Sequence, residues 1–384
     1  MAERGNEHAG KGKKLRIAVC HPAVDPPTFI QHHIDRLQEV VLVLYDGITP
    51  RRTLQGHTFM RTTLNGRMID LVQAKLRGDT LQGEHARRIA KMLKAYRIDV
   101  VLAEFGYVAM EMLDACRKAG VPMVAHFFGI DAHGRKYLDR YRNYSRIFQE
   151  GCPVVVVSRE MERQLIGLGA DPRSVHYICC GVDVRMFNSG DPASAPPHFV
   201  AVGRFVEKKA PHITLLAFAE VLKARPDARL TMIGDGRLWE VGHQIVQALG
   251  LGDRVDLAGP ATPKEVLERM LQSRAFVQHS VNAMDGDSEG TPVAIQEAMA
   301  TGLPVISTRH AGIMDIMEHR VHGLLCDPLD LRQMAAHMIE LANDPALAGE
   351  LGRNAMEHAR VAFPLERQIG PLQEVLFNAV KQRA

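Results

Sequence analysis

Aromatic side chains make up only 5% of the chain, with a single tryptophan. No basic run alternates with them, so the stacking platforms used to hold single-stranded nucleic acid are missing. Long apolar runs are missing as well: none approaches the roughly 20 residues that a helix needs to cross a bilayer. The six cysteines (Cys20, Cys116, Cys152, Cys179, Cys180 and Cys326) contain no Cys-x-x-Cys pair and no metal-finger spacing. That pattern is expected of reduced thiols in a cytoplasmic protein. The opening MAERGNEHAGKGKKLRIAVC has basic residues but no apolar core of secretory length behind them, and residues 1–14 read as a disordered tail.

What is present is the composition of a globular chain, with 46% hydrophobic and 24% charged residues over 384 positions. That length is too great for one ordinary core and implies two or three domains. Short apolar runs alternate with helical patterns throughout: LRIAVC, VVLVLYDG, DVVLAEFG, VPMVAHFF and PVVVV, then HFVAVGRF, ARLTMIGDG, RVDLAGP, AFVQHS and PVIST. Strands alternating with helices imply right-handed crossovers and parallel sheets, so the fold class is α/β with two doubly wound halves. NSGDPASAPP at 188–197 is the Pro/Ser/Gly-rich break between them. The expected domains are therefore 15–190 and 197–363. Charge is split unevenly, with 28 Lys and Arg against 21 Asp and Glu in residues 1–195 and 19 against 23 in the remainder. The stretch from about residue 47 to residue 80 is polar and ill-defined. The helical pattern at 84–97, EHARRIAKMLKAYR, has apolar Ile89, Met92, Leu93 and Tyr96 on one face and basic residues elsewhere. It can pack on a core with a wet basic face, the preferred reading, or lie on an anionic membrane surface.

The chain's most informative stretch is DGDSEGTPVAIQEAMATGLP, 285–304. Thr291 before Pro292 is a helix-start signal, Thr as cap and Pro at the first helical position. The free N–H groups and positive dipole end at Gly290–Val293 favour a phosphate, and Gly290 permits close backbone approach. Glu289 falls just outside that start and Glu297 about a turn and a half inside it. A diphosphate flanked by two carboxylates is a nucleotide-sugar cradle, one acid for sugar hydroxyls and one for the ribose. In GRFVEKKAP, 203–211, Gly203 ends a strand and cationic side chains follow. Gly234 in IGDG and Gly259 in AGP are further strand-end glycines.

The spacing Glu-x7-Glu inside SEGTPVAIQEAMATGLPVIST resembles the donor motif of family 4 retaining glycosyltransferases with the GT-B fold, and GRFVEKKAP resembles that family's Gly-Arg followed by Lys-Lys-Gly. The resemblance covers most of 100–384. It implies that Arg204 and Lys209 grip the donor diphosphate, in keeping with the phosphate chemistry of both side chains. Ala210 stands in the place of the family's Gly, a change expected to alter the turn only slightly, while Lys208 reads as a solvated lysine. The resemblance also implies that the C-terminal helix, 364–384, returns to the N-terminal domain. Asp285-Gly286-Asp287 has the look of a metal-binding Asp-x-Asp, but the family neutralises its leaving group with cations and helix dipoles. No metal or cofactor is expected beyond a UDP- or GDP-sugar co-substrate.

The segment AHFFGIDAH resembles the family's His before Gly-x-Asp, a His that meets the donor sugar. Phe128 stands at that position, ahead of Gly129 and Asp131, leaving His126 or His133 to replace the contact, or Phe128 to a plain packing role. Asp25, Thr28 and Phe29 follow the first strand and are acceptor-side candidates. Ser158 reads first as a helix cap. The implied activity is retaining transfer of a hexose to a saccharide or lipid-linked hydroxyl in polysaccharide assembly, in the cytoplasm or at the inner membrane face. Against it stand a sugar-nucleotide epimerase or phosphorylase on the same fold and a non-catalytic nucleotide-sugar-binding subunit.

Overall fold

The structure is a computed structural model that describes residues 14–61, 63–187 and 189–383; the expected tail, residue 14 apart, lies outside them. Thirteen strands form among the described residues. Those of the first sheet are β1 (Ile17–Cys20), β2 (Val40–Tyr45), β3 (Arg52–Thr53), β4 (Val100–Glu104), β5 (Met123–Phe127), β6 (Val154–Val156) and β7 (Val175–Tyr177), in the spatial order 3-2-1-4-5-6-7. Those of the second are β8 (His198–Val202), β9 (Arg229–Ile233), β10 (Val255–Gly259), β11 (Ala275–Val277), β12 (Val305–Thr308) and β13 (Gly323–Cys326), in the order 10-9-8-11-12-13. Apart from the antiparallel edge strand β3, the registers described are parallel. Strands β1, β4, β5, β6, β11, β12 and β13 are buried along their whole length. Strands covered on both faces read as continuous apolar runs, which is why the sequence announces them. Both sheets reverse direction of growth at their first strand, and ligands of such sheets bind at that switch point.

The chain divides into two compact units, one holding the residues up to Glu104, Glu111–Val124 and Gln373 onward, the other Phe105–Met110 and Ala125–Leu372. In the first unit the stretch left undefined by the sequence contains a helix, Leu64–Leu76, started by Thr63, whose hydroxyl accepts from Gly66 N at 3.1 Å. The basic helix runs Leu81–Ala95 and buries Ala86, Ile89, Ala90 and Leu93. Arg87 and Arg88 are turned onto Glu84, at 2.6 and 3.0 Å. Its apolar side is thus used by the core, as the packed reading required. The carboxyl of Glu84 is pulled down to about 2, chiefly by its hydrogen bonds to Arg87 and against the opposing effect of burial.

In the second unit the apolar residues of β8–β13 pack beneath the surrounding helices, Phe199, Phe218 and Phe276 being fully buried. The Pro/Ser/Gly-rich stretch is pinned to this layer. Gly190 N donates to Thr301 O at 2.7 Å, and the Arg274 guanidinium donates to Ala195 O. Gly323 in β13 has φ +155°, and a Cβ there would lie 2.0 Å from Val305 O in the neighbouring strand. Gly323→Ala should therefore destabilise the protein by about 3 kcal/mol through overpacking and backbone strain, read as a lowered urea midpoint with an unchanged slope.

Candidate active site

The candidate site lies in the second unit, at the C-terminal end of β8, where its sheet reverses order between β8 and β11. Three strand-end glycines meet here. Gly203 N donates to Ile233 O at 2.9 Å, and Gly234 N to Gly259 O at 2.8 Å. A Cβ on Gly234, at φ +133°, would stand 2.1 Å from Gly203 O. Only glycine lets these loops approach so closely. After Gly203 the chain exposes Arg204, forms a short 3-10 turn at Glu207–Lys209, and enters the helix Pro211–Ala224 through Ala210. Ala210 is fully buried at φ +36°, ψ 54°. The substitution for glycine therefore does more than adjust the turn: a left-handed alanine costs about 1–2 kcal/mol, and the folded turn bears that strain.

The two lysines of this turn, Lys208 buried and Lys209 half-buried, face two acids of the loop 285–290. Lys209 Nζ lies 3.0 Å from Glu289 Oε1 and donates to Gln278 Oε1 at 3.1 Å, just past the end of β11. Lys208 corrects the expectation of a solvated side chain. It is 8% exposed, and its Nζ donates to Asp287 Oδ1 at 2.9 Å and to Ser288 O at 3.0 Å. A lysine in a surface-looking KK pair is pulled inward because the facing loop offers a carboxylate and a carbonyl that would otherwise be buried unpaired. Asp287, one half of the apparent Asp-x-Asp, is thereby committed to Lys208. Burial raises the Glu289 carboxyl, but the ammonium groups of Lys209 and Lys208 outweigh it and leave the acid below its ordinary range. Burial in turn lowers the Lys209 ammonium, with Glu289 working against the shift.

The helix after this loop starts differently from the sequence expectation. It runs Val293–Thr301 with Pro292 at the cap position and no side-chain cap. The Thr291 hydroxyl donates instead to Val157 O. The cap signal failed because a buried carbonyl from another segment competes for the same hydroxyl. Without a capping side chain or an acid in its first turn, this helix end keeps its positive character toward an anion. Gly290 is hemmed in, since a Cβ would sit 2.7 Å from Val157 Cγ2, and Gly312 packs on its carbonyl. Glu297 is half-buried and carries no described ion pair, so burial lifts its carboxyl to about 7.

The segment 126–133 meets the acidic loop through backbone. A Cβ on Gly129 would lie 2.0 Å from Ser288 O, and Arg135 N donates to Asp285 O at 2.9 Å. Asp131 is fully buried, its oxygens accepting from Gly106 N at 2.6 Å and Phe128 N at 2.8 Å. It therefore shapes the loop. Phe128 is packed, with ring centroids 4.5 Å from His126 and 4.9 Å from Phe105, and His126 is fully buried within β5. Ser158 caps its helix by accepting from Met161 N at 3.2 Å. Asp25 and Thr28 are exposed and belong to the first unit. Two histidines join the site. His133 is lowered to about 4 by burial, then by the charge of Lys208 and His310. His310, which the sequence reading missed, shares a 3.3 Å contact with Ser288 Oγ. The signal for it was its place just beyond β12, at the same sheet end as Gly203.

Residues 65–185 match the family model Glycosyltransferase Family 4, and residues 185–358 match Glycosyl transferases group 1. The chain belongs to glycosyltransferase family 4. It is similar to the amylovoran biosynthesis glycosyltransferase AmsK of Erwinia amylovora, 31% identical over 265 residues that take in 67% of this chain and 65% of that protein. The putative colanic acid biosynthesis glycosyltransferase WcaL of Escherichia coli is 28% identical over 73% of this chain and 71% of its own. The alignments thus span about two thirds of these relatives. Among solved structures, Anabaena Alr3699/HepE in complex with UDP and glucose superposes with a TM-score of 0.73 at 18% identity, over 94% of this chain and 99% of that one. The lipopolysaccharide outer core galactosyltransferase WaaB gives 0.67 at 16% identity, over 96% of this chain and 100% of the other. Likeness at such identities establishes the fold, which is GT-B. This glycosyltransferase has no helix, among the described residues, long and apolar enough to cross a membrane.

Lys208→Ala should leave Asp287 buried without its cation and cost about 3 kcal/mol of stability. The equivalent change at Lys223, an exposed partner of Glu220, should cost less than about 1 kcal/mol. Chemical unfolding of the two variants in parallel checks the contrast.

Proposed function

We propose that this glycosyltransferase moves a hexose-type sugar from a UDP- or GDP-sugar to a hydroxyl of a saccharide or lipid-linked acceptor, with retention of configuration and without a metal ion. The names of its relatives in amylovoran and colanic acid biosynthesis support extracellular polysaccharide as the product class. The observation that carries the reading is the pair of half-buried Lys209 and buried Glu289 at the switch point, with exposed Arg204 beside it on the same loop.

Breaking the bond from the sugar's anomeric carbon to diphosphate puts negative charge on the phosphate and positive character on the ring. Stabilising the departing charge is the largest task of the site. Arg204, Lys209 and the uncapped start of Val293–Thr301 supply cationic and dipolar groups for it. In this reading Lys209 exchanges part of its contact with Glu289 for phosphate oxygens, and Glu289 turns to the sugar hydroxyls. Gly203, Gly234, Gly259, Gly290, Thr291 and Pro292 shape the donor cradle, and Glu297 accepts from the ribose. Phe128, Gly129 and Asp131 of the second unit are proposed as acceptor-side residues, with the last ordering the loop, as are, separately, Asp25 and Thr28 of the first unit. His126 and His133 are the two histidines proposed for sugar contact; the electrostatic coupling of His133 to Lys208 favours His133.

Glu289→Ala and Arg204→Ala should each lower kcat/KM for nucleotide-sugar turnover about 100- to 1000-fold, with EDTA leaving the wild-type rate unchanged. Unchanged turnover in both variants overturns the site, and an epimer formed from the donor alone overturns the transferase chemistry.

Glu297 supplies a pH test. Its carboxyl is held at about 7 by burial, so it is mostly protonated below that pH and ionised above it. Only the carboxylate accepts from both ribose hydroxyls without offering a competing proton. Nucleotide affinity should rise from about pH 6 to about pH 8, and Glu297→Gln should flatten that rise in a calorimetric titration.

A further inference from the structure

The helix Leu64–Leu76 in the first unit is built inside out. Its buried face carries a carboxylate: Asp70 is fully buried and takes Arg88 Nη2 at 2.7 Å and Arg61 Nη1 at 3.3 Å. Ala74, one turn on, is buried beside it. Apolar side chains point the other way. Met68 is 59% exposed, Ile69 46%, Leu71 47%, Val72 52% and Leu76 82%. At 3.6 residues per turn these five centre on the face opposite Asp70 and Ala74. A surface helix normally turns its apolar stripe to the core, and scattered exposed apolar residues need no explanation, but a contiguous set on one helix does.

The surroundings are basic. Residues 51–97 hold eleven Lys and Arg against three Asp and Glu. Two of those three acids, Asp70 and Glu84, pair with Arg61, Arg77, Arg87 and Arg88, and the segment keeps a net positive charge. Lys75 is exposed within the apolar face itself, and Lys91 and Lys94 are exposed on the helix Leu81–Ala95, which is joined to the first by the 3.0 Å bond from Arg88 to Gln73.

We propose that Leu64–Leu76 is an interfacial helix that seats this protein on an anionic phospholipid bilayer, its apolar face among the acyl chains and Lys75 reaching back to the headgroup phosphates. Charge decides the occupant. A second copy docked on the same face by a two-fold axis would set these basic surfaces against each other, whereas an anionic bilayer offers the complementary sign. The proposal does not rest on the donor assignment.

The test is co-sedimentation of the full chain with vesicles of mixed phosphatidylglycerol and phosphatidylcholine, and with vesicles of phosphatidylcholine alone. Wild type should bind the anionic vesicles and be released by salt. Val72→Glu/Leu76→Glu should weaken that binding at least about tenfold, as should the independent pair Met68→Ser/Ile69→Ser, with unfolding transitions like the wild type's because the altered side chains are exposed. Val361→Glu, at an equally exposed apolar residue of the helix Pro345–Ala362, should bind as wild type does. The proposal is overturned if wild type ignores anionic vesicles, if both double variants bind undiminished, or if sedimentation velocity shows a dimer that these variants dissolve.

Discussion

Two adjacent lysines, one buried and one half-buried, each paired with a different acid of one loop, set the terms for the rest of the site. The loop 285–290 forms no helix or strand, so its shape has to come from side-chain and backbone partners. Lys208 ties down Asp287 and the Ser288 carbonyl, and Lys209 faces Glu289. Burying a carboxylate or an ammonium alone would cost several kcal/mol, so each partner compels the other inward. The arrangement also divides labour between neighbours in sequence. Lys208 is held by a carboxylate and a carbonyl of the loop, while Lys209 pairs with Glu289 and follows exposed Arg204 on the same turn.

The sheet determines where this pairing can occur. With β8 as the strand from which the order 10-9-8 and 8-11-12-13 both grow, the connections leave β8 and β11 on opposite faces, and the loops beyond their ends part to make a crevice. Gly234 is needed at that edge because a Cβ there would meet Gly203 O, and Gly259 because the backbone takes a left-handed φ of +72°. Across from them, Gly129 and Gly290 allow further backbone to come within contact of the acidic loop and of Val157. Family membership and the site's chemistry thus converge on one end of one sheet.

Much of the fold was legible because buried parallel strands carry no polar alternation to confuse them, and because strand-end glycines punctuate the runs. Glu289, Arg204 and Lys209 were legible as charged residues beside strand ends or a helix start, and the structure brings Lys209 and Glu289 together. Local signals misled where a distant group competed for the same atom. Thr291 has the composition of a cap, yet Val157 O takes its hydroxyl. Lys208 has the composition of a surface residue, yet Asp287 draws it inside. The helix Leu64–Leu76 does carry an apolar stripe in its sequence, but periodicity cannot tell inward from outward, and only the structure shows Asp70 inward and Leu71 and Leu76 outward.

The sequence by itself determined the α/β class, the two sets of alternating strands and helices, the family, and the clustering of glycines with charged residues around 203–211 and 285–304. These depend on periodicity and on residue type at short spacing, which the linear chain records directly. Only the tertiary structure decided that Lys208 pairs with Asp287 and Lys209 with Glu289, that His310 and His133 border Lys208, and that Asp131 orders the 128–131 loop. Those outcomes depend on which buried donor meets which buried acceptor across tens to hundreds of residues, and that pairing exists only once the chain has folded.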